Sequence, residues 1–185
     1  MVPEIEGNSS GKYNSGASGC SCHSTSSNSI TVTHNFPTQY DSSTSSYNIT
    51  IGFSGGVSST NGGFSLEVDK GILLNPDSNT KINSKSATHQ NSYSNSWSLE
   101  WTPPSSGSGN VTVDISVLSA NGNGANSGDV WDTINLVVQE APSISYFKSP
   151  YVLNKNAYSQ ILPSVNGSGI THWSISPPLP AGLIF

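Results

Sequence analysis

The chain has few charged residues. Six Lys and Arg and eleven Asp and Glu make up only 9% of its 185 residues and give a formal net charge of −5. An average soluble protein has roughly 25% charged residues, so neutral Ser, Thr and Asn side chains must solvate this surface, as is common outside cells. The shortage of clustered Lys and Arg argues against a nucleic-acid partner. No apolar run is long enough to span a membrane.

Both ends of the sequence lack the features of a natural boundary. Residues 1–6 have neither the basic region nor the apolar core of a signal peptide. The last residues, 180–185, end on an apolar side chain with no closing turn. We therefore expect a fragment of a longer exported protein, extracellular or at the cell surface, whose signal peptide lies upstream.

Apolar and polar residues alternate with a period of two along much of the chain, and no segment has a helical stripe. The alternation occurs at Ile30–Val32, Tyr47–Phe53, Phe64–Val68, Trp97–Trp101, Val111–Val117 and Ile134–Val138. Clusters of Gly, Asn, Ser and Pro separate these segments. The pattern predicts an all-β, antiparallel sandwich of about seven strands over residues 30–139. In this arrangement Trp97 and Trp101 share the core face with Leu99. The other residues that we expect to be buried are Phe64, Leu66, Val111, Val113, Ile115, Leu136 and Val138.

The only two cysteines, Cys20 and Cys22, are one residue apart and are followed directly by His23. The attachment signal for c-type haem is C-x-x-C-H, in which both thiols form thioethers and the histidine binds iron. This chain has one spacer residue where that signal has two. Residues 1–29 are rich in Ser and Gly without a strand pattern, which predicts a flexible segment with accessible thiols. The composition also favours an oxidising, extracytoplasmic setting.

Two other interpretations of the cysteines remain open. A Cys20–Cys22 disulfide would close a small, strained and readily reduced ring. A zinc site of Cys20, Cys22 and His23 would need a fourth ligand, and no second cluster supplies one.

The loop from Asn121 to Asp132 is a candidate calcium site, because five Asn and Asp side chains lie on a glycine-rich backbone. Its spacing matches no EF-hand, and Asn and Gly are also the residues that plain turns favour. No catalytic set is evident: the chain has no nucleophile elbow and no H-E-x-x-H pair.

Several motifs resemble, in order and spacing over residues 15–138, those of Reeler-like domains of bacterial and archaeal surface proteins (choice-of-anchor V-like). The matching segments are Asn61–Leu66 ("GGF-x-L"), Ala87–His89 with Asn95–Pro104 ("TH…W-x-F-x-W-T-A-P"), Gly109–Val113 ("G-x-V-T-F"), and Ala120–Gly124 with Ser127–Asp129 ("A-N-G-x-G…S-G-D"). Many prokaryotic members carry an upstream "SGAPGxxxC-x-x-C-H" signature, and Ser15–His23 occupies that place. The resemblance implies a Reeler-like sandwich with a haem signature and no defined catalytic activity.

A haem iron held by His23 can take a second axial ligand. The candidates are His34, His89, His172 and Met1. His34 is in phase with Ile30 and Val32, which predicts an inward side chain. We favour His89, predicted in a polar loop, because it belongs to the Reeler-like motif. The alternative is that this histidine only holds the loop, since relatives without the cysteines also have it.

A second unit is predicted from about residue 140 to residue 185. Its segment Ile170–Leu183 contains "LPAGL" and resembles the middle of the Ig-like repeats of large prokaryotic surface proteins. The resemblance implies a partial second Ig-like sandwich, with apolar surface exposed at Val165, Ile175 and Leu183.

These sequence features predict two alternative functions. The first is a c-type haem domain that transfers electrons within a larger surface protein, with a redox partner or neighbouring domains of that protein. The second is a non-catalytic adhesion or structural module in which a Cys20–Cys22 disulfide staples a loop.

Overall fold

The computed structural model describes residues 11–23, 26–58, 60–147, 152–154, 157–167, 170–182 and 184. Within these residues every regular element is a strand, and no helix could cross a membrane. The strands are β1 (Ile30–His34), β2 (Gln39–Tyr40), β3 (Tyr47–Gly55), β4 (Gly62–Val68), β5 (Ile72–Leu74), β6 (Thr80–Asn83), β7 (Ser86–His89), β8 (Ser96–Thr102), β9 (Val111–Ser119), β10 (Val130–Glu140), β11 (Ser143–Ser145) and β12 (Ser164–Asn166).

The first ten strands form two sheets around one core, which confirms the predicted all-β sandwich. One sheet has the order β1-β3-β8-β5 and the other β2-β10-β9-β4-β7-β6. Neighbouring strands are antiparallel except β2 and β10, which pair in parallel over two residues. Each long strand turns its apolar residues to the other sheet, because successive side chains of a strand point to opposite faces.

Two tryptophans organise the core. Trp101 is fully buried and its ring centroid lies 5.7 Å from Phe36, 5.8 Å from Tyr40 and 5.7 Å from Tyr47. Trp97 packs against Phe64 at 4.8 Å between centroids. Aromatic pairs at these separations add to the hydrophobic stabilisation from burial. The predicted core positions of both tryptophans are therefore confirmed.

The other predicted core residues are also buried, with one exception. Phe64, Leu66, Leu99, Val111, Val113, Ile115 and Val138 are all buried. Leu136 is half-buried and packs against the edge of the core.

The inward orientation predicted for His34 is wrong. Its side chain is exposed at the last position of β1. Phe36, two residues further, supplies the aromatic ring that enters the core against Trp101.

After residue 140, β11 and β12 form a separate two-stranded antiparallel sheet. Val165 is 41% exposed and Ile175 is 45% exposed, while Leu183 lies outside the described residues. This two-stranded sheet contacts the first sandwich through Ser106, which hydrogen-bonds Ser143 and accepts from the Asn166 amide. The domain boundary near residue 140 stays a prediction.

Candidate functional site

Residues 11–23, called the N-terminal segment here, lie across the outer face of the six-stranded sheet. The backbone N–H of Ser15 donates to Oγ of Ser65 at 3.1 Å, and that of Gly16 donates to Oε1 of Glu67 at 2.8 Å. The carbonyl of Gly16 accepts from Oγ1 of Thr133 at 2.8 Å. The segment has no strand of its own, as its composition predicted. Its predicted flexibility concerns motion and stays a prediction.

The docked N-terminal segment explains why polar residues on the outer face of the six-stranded sheet are buried, which the period of two does not predict. Polar positions between core residues are ordinarily solvated in a sandwich, yet Ser65, Ser86, Thr88 and Ser116 are all buried. The N-terminal segment covers them, and their hydroxyls hydrogen-bond to it or to the sheet. These positions therefore form a docking surface made of small hydroxyl side chains.

The segment Cys20-Ser21-Cys22-His23 is called the tetrad here, and its two thiols have different surroundings. Cys20 is half-buried, and its Sγ lies 3.9 Å from Oγ of Ser116. Burial raises the pKa of the Cys20 thiol to about 11, so this sulfur is protonated at neutral pH. Cys22 is exposed, and both cysteines are free thiols. The backbone N–H of His23 donates to the carbonyl of Cys20 at 2.9 Å and closes a turn around the tetrad.

His23 is anchored by a buried carboxylate. Its Nδ1 lies 2.7 Å from Oδ2 of Asp129, whose side chain is only 4% exposed. The other carboxylate oxygen, Oδ1, accepts the backbone N–H of Asn121 at 2.9 Å. Asp129 thus joins the tetrad to the glycine-rich loop. The tetrad did not reveal this partner, because the two residues are 106 positions apart.

The loop 121–128 is built from its own side-chain hydrogen bonds. Oδ1 of Asn121 accepts the N–H of Asn123, and Oδ1 of Asn123 accepts the N–H of Ala125. Such bonds to backbone groups two residues on are typical of turns. The amide of Asn126 donates to the carbonyl of Cys22 at 3.0 Å. Calcium binding by this loop stays a prediction.

His89 is the last residue of β7, whereas the sequence pattern placed it in a loop. Its Nδ1 lies 3.1 Å from the backbone nitrogen and 3.3 Å from the carbonyl oxygen of Phe64, so it accepts from the first or donates to the second according to its tautomer, and its ring is packed against Gly63. Burial lowers the pKa of His89, and the nearby Lys81 and His23 lower it further, while a hydrogen bond to the Phe64 backbone opposes them. His89 is therefore held neutral, the form in which histidine binds metals.

Both histidines adjoin the N-terminal segment: His23 is its last residue, and a Cβ on Gly11, its first residue, would lie 2.9 Å from Nδ1 of His89. Each uses Nδ1 for a hydrogen bond, and neither Nε2 has a hydrogen-bond partner within the described ranges. The alternative ligands differ: His34 and His172 are exposed, and Met1 lies outside the described residues. In the described part of the chain no three Cys, His, Asp or Glu side chains converge as a metal-binding group.

Gly19 brings the tetrad close to the sheet. It has a φ of +72°, a left-handed conformation that glycine adopts readily, and a Cβ at this position would overlap the ring of Trp131. We expect Gly19→Ala to lower the free energy of unfolding by about 1–3 kcal/mol through this clash, with a changed Trp131 environment, measured by chemical denaturation and near-UV circular dichroism.

Gly124 is the matched control for this substitution. It has a similar φ of +75°, but a Cβ there would meet nothing within 4 Å. Gly124→Ala therefore tests backbone strain without the clash. Equal losses in the two variants would contradict the close packing of Gly19 on Trp131.

No protein-family model matches the chain, and no curated protein matches it. Solved structures that are similar to it include three of F-spondin domains. The human F-spondin reeler domain (fragment 1) has a TM-score of 0.43 and 16% identity and covers 62% of this chain and 91% of its own. The Reelin-N domain of F-spondin has a TM-score of 0.42, 15% identity and coverages of 62% and 88%. Fragment 2 of the human F-spondin reeler domain has a TM-score of 0.40 and 17% identity, and the match covers 65% of this chain and 99% of that domain. At these values the function of this chain must be inferred from its own residues.

Proposed function

We propose that the chain binds haem c covalently through Cys20 and Cys22, with His23 and His89 as the residues that would hold its iron. It would act in electron transfer within a larger extracytoplasmic surface protein of the Reeler-like kind. The observation that carries the proposal is the anchoring of His23 within the tetrad: the Asp129 carboxylate holds Nδ1 at 2.7 Å and leaves Nε2 for a metal.

The histidines have the surroundings of metal ligands. Metal-binding histidines generally donate their second ring N–H to a carboxylate or a backbone carbonyl, which orients the ring. His23 has such a partner in the carboxylate of Asp129. Nδ1 of His89 lies 3.3 Å from the carbonyl oxygen of Phe64 and 3.1 Å from its backbone nitrogen; as an iron ligand through Nε2, His89 would donate its Nδ1–H to that carbonyl. The lowered pKa of His89 also favours the neutral form that ligation requires.

The thiols fit the same role because both lie on the outer side of the sheet. Cys22 is exposed, and Cys20 is covered only in part. When bound, haem c would supply an iron that accepts and releases one electron. The chain's own part would be to fix the ring through two sulfurs, to orient the ligand nitrogens, and to limit water access on the side of the sheet. The partner would be a redox protein or a neighbouring domain.

The test is covalent haem attachment in protein exported by a host that makes c-type cytochromes. We expect a pyridine haemochrome spectrum that survives acid–acetone extraction, and a mass increase of one haem. A Cys20→Ser, Cys22→Ser double variant should lose both signals. Ser21→Ala is the matched control, because it changes the exposed spacer and keeps both thiols. Folded wild-type protein without covalent haem would reject the proposal.

The structural alternative also has an observation in its favour. The hydrogen bonds of Ser15, Gly16 and His23 already make the N-terminal segment part of the sandwich. A Cys20–Cys22 disulfide would then serve as a clasp in an adhesion or structural module. Intact mass of native protein separates the two functions, because a disulfide removes two hydrogens and leaves no absorption in the visible range.

A further inference from the structure

We propose that Asp129 is a positioning residue that fixes His23 as the Nδ1–H tautomer and so leaves the Nε2 lone pair free for a ligand. The identity of that ligand, haem iron, rests on the proposed function. The fixed tautomer itself is a property of the protein without haem.

Both oxygens of the carboxylate are engaged in a way that determines its orientation. Oδ1 accepts the backbone N–H of Asn121 at 2.9 Å, and Oδ2 lies 2.7 Å from Nδ1 of His23. An ionised carboxylate is only an acceptor, so the proton between Oδ2 and Nδ1 belongs to the imidazole. The Asp129 side chain is 4% exposed, and such charge-assisted bonds are stronger than neutral ones.

The loop 121–128 adds a second contact with the tetrad. The amide of Asn126 donates to the Cys22 carbonyl at 3.0 Å, and the Asn121 amide donates to the carbonyl of Ser127 at 2.9 Å. Residues 121–129 therefore contact the tetrad at two points, the Cys22 backbone and the His23 ring. We infer that this loop serves to orient His23, a role separate from calcium binding.

The substitution Asp129→Asn tests the tautomer directly. The Asn121 N–H still requires an acceptor, so the amide oxygen takes the place of Oδ1 and the NH₂ group takes the place of Oδ2. This NH₂ group donates towards Nδ1, which then must accept. The substitution should therefore move the proton of His23 to Nε2 while it keeps the size of the side chain.

The measurement is long-range ¹H–¹⁵N NMR of the imidazole in protein without haem, at a pH where the same spectra show a neutral ring. We expect the Nδ1–H form of His23 to exceed the Nε2–H form by about tenfold or more in the wild type, and this ratio to fall at least tenfold in Asp129→Asn. Asp132→Asn is the matched control, because Asp132 caps the backbone N–H of Thr133 instead of His23; its ratio should not change.

If His23 of the wild-type protein is mainly in the Nε2–H form, the inference is overturned. This measurement needs no variant, so it stands even if the Asp129→Asn protein folds poorly. An unchanged ratio in folded Asp129→Asn protein overturns it as well. Failure of haem attachment with the expected tautomers would reject the proposed function and leave the positioning role of Asp129 intact.

Discussion

Replacing Trp101 with alanine should lower the free energy of unfolding by about 3–5 kcal/mol, the range for deletion of a large buried aromatic side chain. Trp101 is fully buried and contacts Phe36, Tyr40 and Tyr47. Its Nε1–H also donates to the carbonyl of Lys70 at 3.2 Å. Urea unfolding followed by far-UV circular dichroism measures the loss. Tyr93→Ala, at a side chain that is 82% exposed, should change stability by less than about 0.5 kcal/mol.

A milder pair of variants tests the explanation. Within the described residues the Nε1 of Trp97 is buried without a hydrogen-bond partner, whereas that of Trp101 is bonded. Loss of one partner of a buried hydrogen bond leaves the other unsatisfied, at a cost of about 1–3 kcal/mol. Trp101→Phe should therefore be more destabilising than Trp97→Phe. The opposite order would contradict the hydrogen-bond contribution.

Replacing His23 with alanine should abolish the spectrum of a haem c protein, because the variant has lost the ligand next to both thiols. Replacing His89 with alanine should leave the haem attached and change iron from low spin to high spin. Visible absorption and electron paramagnetic resonance measure both outcomes. His34→Ala is the control, since His34 is an exposed histidine of the same sandwich and should change neither signal.

The two histidine variants separate two parts of the hypothesis. An unchanged spin state in His89→Ala would remove His89 as a ligand and leave His23 in place. A normal spectrum in His23→Ala would contradict the assignment of the tetrad itself. Each variant needs its stability measured, because His89→Ala also loses the hydrogen bond with the Phe64 backbone, worth about 1 kcal/mol.

The long strands could be predicted because burial on one face imposes a period of two on their residues. The short strands could not. Thr80–Asn83 and Gln39–Tyr40 are too short or too polar to show the period. They are strands because neighbours pair with them: Thr80 is opposite His89, and Tyr40 is opposite Glu140. His89 was expected in a loop for the same reason, because the four residues of β7 show no alternation in the sequence.

The tetrad was visible in the sequence, but its surroundings were not. In the sequence Asp129 is one oxygen donor of a glycine-rich loop and the last residue of the Reeler-like "S-G-D" motif, and nothing near His23 points to it. The docking surface gave a weak signal: Ser65, Ser86 and Ser116 are small hydroxyl residues at positions where exposed strands often carry charge. Such a pattern suggests a covered face, although it does not identify the segment that covers it.

The docking of the N-terminal segment also sets an order of events as the protein is made. The hydrogen bonds that join Ser15, Gly16 and His23 to the sandwich have partners 50 to 117 residues later in the chain. Chains emerge from their N-terminus, so Cys20 and Cys22 are synthesised long before the surface that receives them. The covalent attachment required by the proposed function would therefore have both thiols accessible during this interval. Afterwards, Cys20 lies against Ser116 and only Cys22 remains readily accessible.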